Sequence, residues 1–368
     1  MSSTTPANDL PANLASLLRS RYESALASGS AFFYPSEVHN LEQSAGNITL
    51  NWTVRRCEAL RQKAEEKRRK AEQGGEREPM PTKPAQQEGG QNPNDVFSPP
   101  YDQHLLIAEL GDHHTLLLNK FALIPEHFLL VTRAFRSQAL PPQPETLALS
   151  YRILASLPSE DPAQRLCFFN CGPDSGASQP HCHMQFVDLK EGGGVLIEGL
   201  LDRIERDGKE METVHALPLP YQHFVHLLPS NLKSLPPTEV EAKMGMILMK
   251  LLDAMFSARS AAMEQDPEAT IPQSRPSWNL LLTHRAMHLI PRSQEDFPLE
   301  KENEPSEEVG PLSLNALCFA GHLVTKSNEE VERIRKREGG VAMILAEVGR
   351  KPVGDVTVAA TGTEGGDQ

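Results

Sequence analysis

The sequence predicts an α+β fold, and three observations lead there. Segments with strand spacing and segments with helix spacing follow one another irregularly, without the regular βαβ units of a doubly wound sheet. Hydrophobic residues make up 39% of the chain, enough for a core, while 30 prolines interrupt it with irregular stretches. Two segments, Thr115 to Pro125 and Asn279 to Pro291, share a pattern: an apolar strand, a polar break, and a second strand ending near Ile-Pro. Such internal likeness hints at two related halves.

The elements follow in order. Leu10, Leu14, Leu17, Leu18, Tyr22 and Ala25 recur at helical spacing, with Asp9 as a candidate N-cap and Pro11 in the first turn. Residues 31–34 and 48–54 have strand character. From Lys63 to about Pro100 the chain is rich in Glu, Lys, Gln, Gly and Pro and nearly lacks large apolar residues, which predicts a disordered insertion. Strands are expected at 104–110, 114–119, 128–132, 167–170 and 181–189, and helices at 146–157 and 195–205. A long helix is expected at 240–263, strands at 278–283, 286–290 and 316–325, and closing helices at 328–337 and 342–348. The chain is thus expected to divide into an N-terminal part of the catalytic domain (1–63), a charged insertion (64–100), a catalytic region (101–210), a C-terminal half completing the fold (211–350) and a disordered tail (351–368).

A net charge of −13 argues against broad nucleic-acid binding, which needs a positive face. A small polyphosphate remains compatible, since a few local cations and backbone N–H groups can hold it. No apolar run reaches about 18 residues, so no membrane span is expected. The start of the chain is polar and small, without the pattern of a secretory leader. Five cysteines, Cys57, Cys167, Cys171, Cys182 and Cys318, give an odd, irregular set with no disulfide framework and no second pair for a zinc site. A reduced, cytoplasmic location is expected. The cluster Lys67-Arg68-Arg69-Lys70 would serve nuclear entry or, more simply, be a solvated linker.

The chemistry centres on residues 168–187. A short strand runs into a loop of small residues, Gly172 to Ser178, and then into His181-Cys182-His183-Met184-Gln185. On a strand, His181, His183 and Gln185 share one face at about 6.6 Å intervals, while Cys182, Met184 and Phe186 face the core. Small residues let backbone N–H groups approach phosphate oxygens. A neutral imidazole beside them suits attack on phosphorus. Spacing alone leaves three readings open: a nucleophile, a metal pair completed by His113 or His114, and ordinary buried histidines.

The run Ser178-Gln179-Pro180-His181-Cys182-His183-Met184-Gln185 resembles the His-x-His-x-Gln signature of the histidine-triad superfamily in its transferase branch. Further segments resemble the fungal-type diadenosine tetraphosphate phosphorylases, also called ATP adenylyltransferases. These are residues 118–132, Leu217 to Phe224, Ser277 to Thr283 with Ile290 to Ser293, and Asn315 to Lys326. The resemblance covers roughly 10–63 and 92–348 and implies an antiparallel sheet with flanking helices. It implies that His183 becomes adenylylated, that Gln185 binds the α-phosphate, and that His181 orients the site. Gly176, Ala177, Ser178 and Gln179 match a phosphate-cradling loop, and Asn170 a nucleotide contact. Asn119 and Lys120 match a ligand-binding pair, Lys63 an N-terminal phosphate-binding lysine, and Asn279, Thr283 and Arg292 contacts from the C-terminal half.

The implied substrates are diadenosine polyphosphates, ATP, ADP and phosphate, with a divalent cation, Mg²⁺, as cofactor and no dedicated metal site. Two rivals stand beside this reading. A hexose-1-phosphate uridylyltransferase shares the nucleophile but usually brings structural metal ligands, and no clear Cys/His cluster is present. A catalytically idle nucleotide-binding module would not require His183 and Gln185 intact. The long insertion and the run His284-Arg285-Ala286-Met287-His288 depart from the family pattern.

Overall fold

The computed structural model describes residues 10–45, 48–62, 95–158, 161–206, 212–265, 275–299 and 309–353. Lys63, most of the expected insertion and most of the expected tail lie outside the described residues.

In chain order the strands are β1 (Phe32–Phe33), β2 (Glu37–Ala45), β3 (Ile48–Arg56), β4 (Leu106–Leu110), β5 (His114–Leu118), β6 (Phe121–Ala122), β7 (Phe128–Thr132) and β8 (Arg165–Cys171). They continue with β9 (His183–Asp188), β10 (Val214–Ala216), β11 (Phe224–Leu227), β12 (Ser277–Leu282), β13 (Ala286–Arg292), β14 (Asp296–Phe297), β15 (Leu312–Ser313) and β16 (His322–Thr325). Nine of them form one sheet, in the order β10-β11-β13-β12-β8-β9-β7-β5-β4, with every neighbouring pair antiparallel.

That order is two-fold. One half runs β5, β7, the helix Pro144–Ser156, β8 and β9 along the chain; the other runs β10, β11, the helix Pro237–Gln265, β12 and β13. Read outward from the centre, β8-β9-β7-β5 is mirrored by β12-β13-β11-β10. The two related halves are therefore present, but the segments that hinted at them are not equivalents. Thr115 to Pro125 spans β5 and β6, at the outer side of its half, whereas Asn279 to Pro291 spans β12 and β13, the counterparts of β8 and β9. Near-continuous apolar runs look alike wherever a strand is buried on both faces.

The helices Leu14–Ser28, Pro144–Ser156 and Pro237–Gln265 cover one face of the sheet, burying Leu116, Leu130, Phe169, Met184, Leu280 and Leu289. Part of the other face lies under β16-β3-β2 and the C-terminal helices Asn328–Lys336 and Gly340–Val348, in a cluster that includes Phe168, Val187, Leu281 and Ile290. A smaller cluster on Leu117, Leu129 and Val131 is closed by Phe97. Among the described residues, no helix is long and apolar enough to cross a membrane.

Three local expectations need correction. The segment from Asp95 to Pro100, assigned to the insertion, is part of the fold: Asp95 has 3% side-chain exposure and Phe97 is buried. Ala316 to Phe319 is a helical turn rather than strand, because Asn315 accepts a hydrogen bond from the Leu317 N–H as an N-cap. His114, named beside His113 to complete a metal pair, is instead buried with its Nε2 2.9 Å from Thr146 Oγ1.

Candidate active site

Strand β9 presents its side chains as the alternation predicts. Met184 and Phe186, with Cys182 just before the strand, enter the helix-side core, where Phe186 stacks on Phe128 at 4.7 Å. On the opposite face, Gln185 lies between Leu129 of β7 and Phe168 of β8, and His183 beside Val131. Gln185 thus stands between the cluster around Phe97 and the cluster around Phe168.

His183 is 2% exposed, and its Nδ1 lies 2.7 Å from the main-chain oxygen of His181. A carbonyl oxygen only accepts, so Nδ1 carries the proton and Nε2 keeps its lone pair. Burial pushes the ring down to about 4, partly offset by this hydrogen bond. At neutral pH His183 is a neutral imidazole with its Nε2 unprotonated.

His181 supports this through its main chain, while its ring is fixed elsewhere. Nδ1 lies 2.7 Å from Asp95 Oδ2 and Nε2 lies 2.9 Å from Thr132 Oγ1. Gln138 joins the ends of β8 and β9: its Oε1 accepts the His183 N–H at 2.8 Å and its Nε2 donates to the Asn170 oxygen at 2.9 Å. The Phe97 ring stands 5.0 Å from the His183 ring and 6.1 Å from that of His181.

Gln185 is oriented by a second chain. Asn119 Nδ2, a donor, sits 2.9 Å from His127 Nδ1, so that nitrogen accepts and the proton resides on Nε2. Burial lowers the half-buried His127 to about 4, with a hydrogen bond to Gln185 working the other way. His127 therefore donates to Gln185 Oε1, and the amide N–H groups of Gln185 remain for a ligand oxygen.

The loop of small residues is held by the second half of the molecule. Gly172 has φ 86°, and a Cβ there would meet Ser277 Oγ at 2.7 Å; Gly176 has φ 79°, and a Cβ would meet the Leu314 oxygen at 2.8 Å. Only glycine fits both positions. Asn279, across from Asn170 at the junction of β12 and β8, donates to Asn170 Oδ1 and to the Ser175 oxygen, both at 2.9 Å. Arg292, 2% exposed, donates to Asn279 Oδ1 at 2.7 Å and to carbonyls of Ser175, Leu314, Gln294, Glu295 and Val348. Burial lowers it to about 10, so it stays charged at neutral pH. Its donors are engaged within the protein, and it anchors the loop.

The structure thus brings together His181, His183, Gln185, Asn119, Asn170, Gly176 and Asn279. Ser178 and Gln179 follow on the same loop, and their N–H groups have no acceptor among the described residues. Ala177 is buried beside them. Lys120 is exposed, with its Nζ over the Phe121 ring. Thr283 engages its hydroxyl in the β12–β13 turn, accepting from Arg285 and Ala286. Asp95, Phe97, His127 and Gln138 were missed as site residues. His127 stood within the family-like run 118–132, and the others carried no periodic signal. Among the described residues, no three His, Cys, Asp or Glu are grouped to hold a metal ion. The pair Cys167 and Cys171 is buried in the helix-side core, which pushes both thiols up.

Comparisons with known proteins bear on this geometry. Residues 5–201 match the model of the Ap4A phosphorylase N-terminal domain, and residues 217–351 that of the ATP adenylyltransferase C-terminal domain. Protein APA1 of Saccharomyces cerevisiae is 27% identical over 354 residues, covering 92% of this chain and 95% of that protein. Diadenosine 5',5'''-P1,P4-tetraphosphate phosphorylase 2 of the same yeast is 30% identical over 255 residues, 65% of this chain and 71% of that protein. The crystal structure of yeast Ap4A phosphorylase Apa2 shares the fold with a TM-score of 0.68 at 24% identity, covering 93% of this chain and 96% of that one. With one family model spanning more than half of its length and a second following it, the chain belongs to the Ap4A phosphorylase family.

Proposed function

We propose that this protein phosphorolyses diadenosine tetraphosphate to ATP and ADP, and catalyses the reverse, through an adenylyl–His183 intermediate. The observation that carries the reading is the hydrogen bond from His183 Nδ1 to the His181 oxygen, which leaves Nε2 as a lone pair on a neutral ring. No separate general base is then required.

Nε2 attacks an adenosine-linked phosphorus, the P–N bond forms, and the P–O bond to the rest of the chain breaks, releasing ATP. An oxygen of inorganic phosphate then attacks the same phosphorus, the P–N bond breaks, and ADP leaves with His183 neutral again. Gln185, held by His127, donates its amide N–H to a non-bridging oxygen as charge develops there. The N–H groups of Ser178 and Gln179 face the remaining phosphate oxygens. Mg²⁺ enters as the counter-ion of the polyphosphate substrate and screens its charge.

The test is a chromatographic assay with diadenosine tetraphosphate, Mg²⁺ and phosphate. Equal amounts of ATP and ADP, formed only with phosphate, support the reading. Turnover of a uridine diphosphate sugar with a hexose 1-phosphate, in place of this reaction, would move the assignment to the uridylyltransferases.

A further inference from the structure

A phosphorylase of this kind faces a chemical problem. Once adenylylated, His183 can be discharged by phosphate, giving ADP, or by water at about 55 M, giving AMP. Both reactions break the same P–N bond and differ only in the attacking oxygen, with the proton from water released to solvent. Something must favour phosphate.

Around His183 the structure is asymmetric. On the β7 side stand Val131, Leu129 and Leu117, closed over by Phe97, whose ring lies 5.0 Å from that of His183. On the β8 side lies Asn170, tied with His183 to Gln138, and from β8 the loop of small residues that carries Ser178 and Gln179 leads back to β9. Phe97 is not a loose cover. Asp95 Oδ1 accepts the Phe97 N–H at 3.0 Å, and Asp95 Oδ2 accepts from Ser98 Oγ at 3.0 Å and lies 2.7 Å from His181 Nδ1. One carboxylate therefore fastens the covering ring to the residue whose main-chain oxygen orients the nucleophile.

We infer that Phe97, anchored through Asp95 to His181, is a specificity-determining residue that closes the apolar side of the adenylyl-histidine to water and directs its discharge to phosphate. The inference rests on the phosphorolysis proposed above. A dry wall leaves water one approach, the polar side, where incoming phosphate with its anionic oxygens is the better ligand for the N–H groups. Asp95 acts through another residue and is a positioning residue.

The full-length protein is assayed with diadenosine tetraphosphate and Mg²⁺ at fixed phosphate, and the AMP-to-ADP ratio is read for wild type, Phe97→Ala and Phe97→Leu. The expected result is a ratio raised roughly tenfold or more in Phe97→Ala, the scale on which apolar contacts discriminate. Phe97→Leu, which keeps an apolar cover, should stay near wild type. A second measurement needs no variant: wild-type protein is mixed with substrate in phosphate-free buffer and AMP release is timed. The adenylyl-enzyme should persist and be discharged at least roughly tenfold faster when phosphate is added. An unchanged ratio in Phe97→Ala, or AMP released without phosphate as fast as ADP with it, overturns the inference and leaves phosphorolysis standing. Absence of phosphate-dependent ATP and ADP from wild type would instead overturn the underlying reading.

Discussion

Nδ1 of His183 donates to the main-chain oxygen of His181 at 2.7 Å, so a contact two residues back along the chain fixes both the tautomer and the aim of the ring proposed as nucleophile. Burial adds the protonation state, holding the ring near 4. Between pH 5 and 7 the ring is already neutral, and kcat should show no acid limb from this residue. An unperturbed histidine would lose roughly fivefold between pH 6.5 and 5.5 if only the neutral form reacts. A pH–rate profile with such a limb near 6.5, still present when the chemical step is isolated, would count against the burial argument.

The chain Asn119–His127–Gln185 predicts a kinetic effect without contact to the reacting phosphorus. Replacing His127→Phe removes the donor that orients Gln185 and frees its amide to rotate. We expect kcat to fall roughly 10- to 100-fold, a fraction of what losing an oxyanion donor outright costs, with KM changed far less. Steady-state kinetics check this. Equal kinetics in the variant would remove His127 from the site.

Gln138 satisfies the His183 N–H and the Asn170 carbonyl in the interior. In Gln138→Leu both lose their partner. Leaving buried polar groups unpaired costs about 1–3 kcal/mol each. Urea denaturation should show a loss in that range, and activity should fall with it as β8 and β9 lose their common tie.

Gly176→Ala places a methyl against the Leu314 oxygen at a residue with φ 79°. The left-handed conformation alone costs about 1–2 kcal/mol for a residue with a Cβ. The loop must shift, so the apparent affinity for the dinucleotide should weaken before global stability is lost. Calorimetric titration with a non-cleavable dinucleotide analogue measures it.

Acid stability follows from the same burial. His114, His183 and His322 are held near 4, His223 near 3, and His288 well below its usual value, all by desolvation. Each is neutral in the folded state and protonates at about 6.5 when unfolded. Between these values the unfolded chain binds more protons, so stability rises with pH and falls as pH drops from about 6.5 toward 4. Chemical denaturation midpoints at pH 7.5, 6 and 5 should decline steadily. A midpoint constant over that range would contradict the buried, neutral assignment.

The strand that carries the histidines was legible because its period is two and its polar face has no structural excuse: His181, His183 and Gln185 alternate with Cys182, Met184 and Phe186. The loop between β8 and β9 was legible from its small residues, and two of its glycines, Gly172 and Gly176, do take positive φ. Asp95 and Phe97 were not, since they follow a long polar stretch and only tertiary packing shows that they return to the sheet. Gln138 acts through backbone partners far along the chain, which leaves no local pattern. Strand β2 was missed because only Leu41 and Ala45 are buried in it, too few to show alternation. Arg292 was recognised as important for a different reason than the one the structure gives: its charge holds the loop through carbonyl oxygens.

The central claim is that His183 forms the covalent bond. Wild-type protein is mixed with diadenosine tetraphosphate and Mg²⁺ without phosphate, quenched in alkali, digested and sequenced by mass spectrometry. The account predicts one adenylyl group on the peptide carrying His183, stable to base and lost in acid as a phosphoramidate, and discharged to ADP when phosphate is added before the quench. In His183→Ala the adduct should vanish and turnover should fall by at least on the order of a thousandfold. An adduct on another residue, or full turnover by His183→Ala, would contradict it.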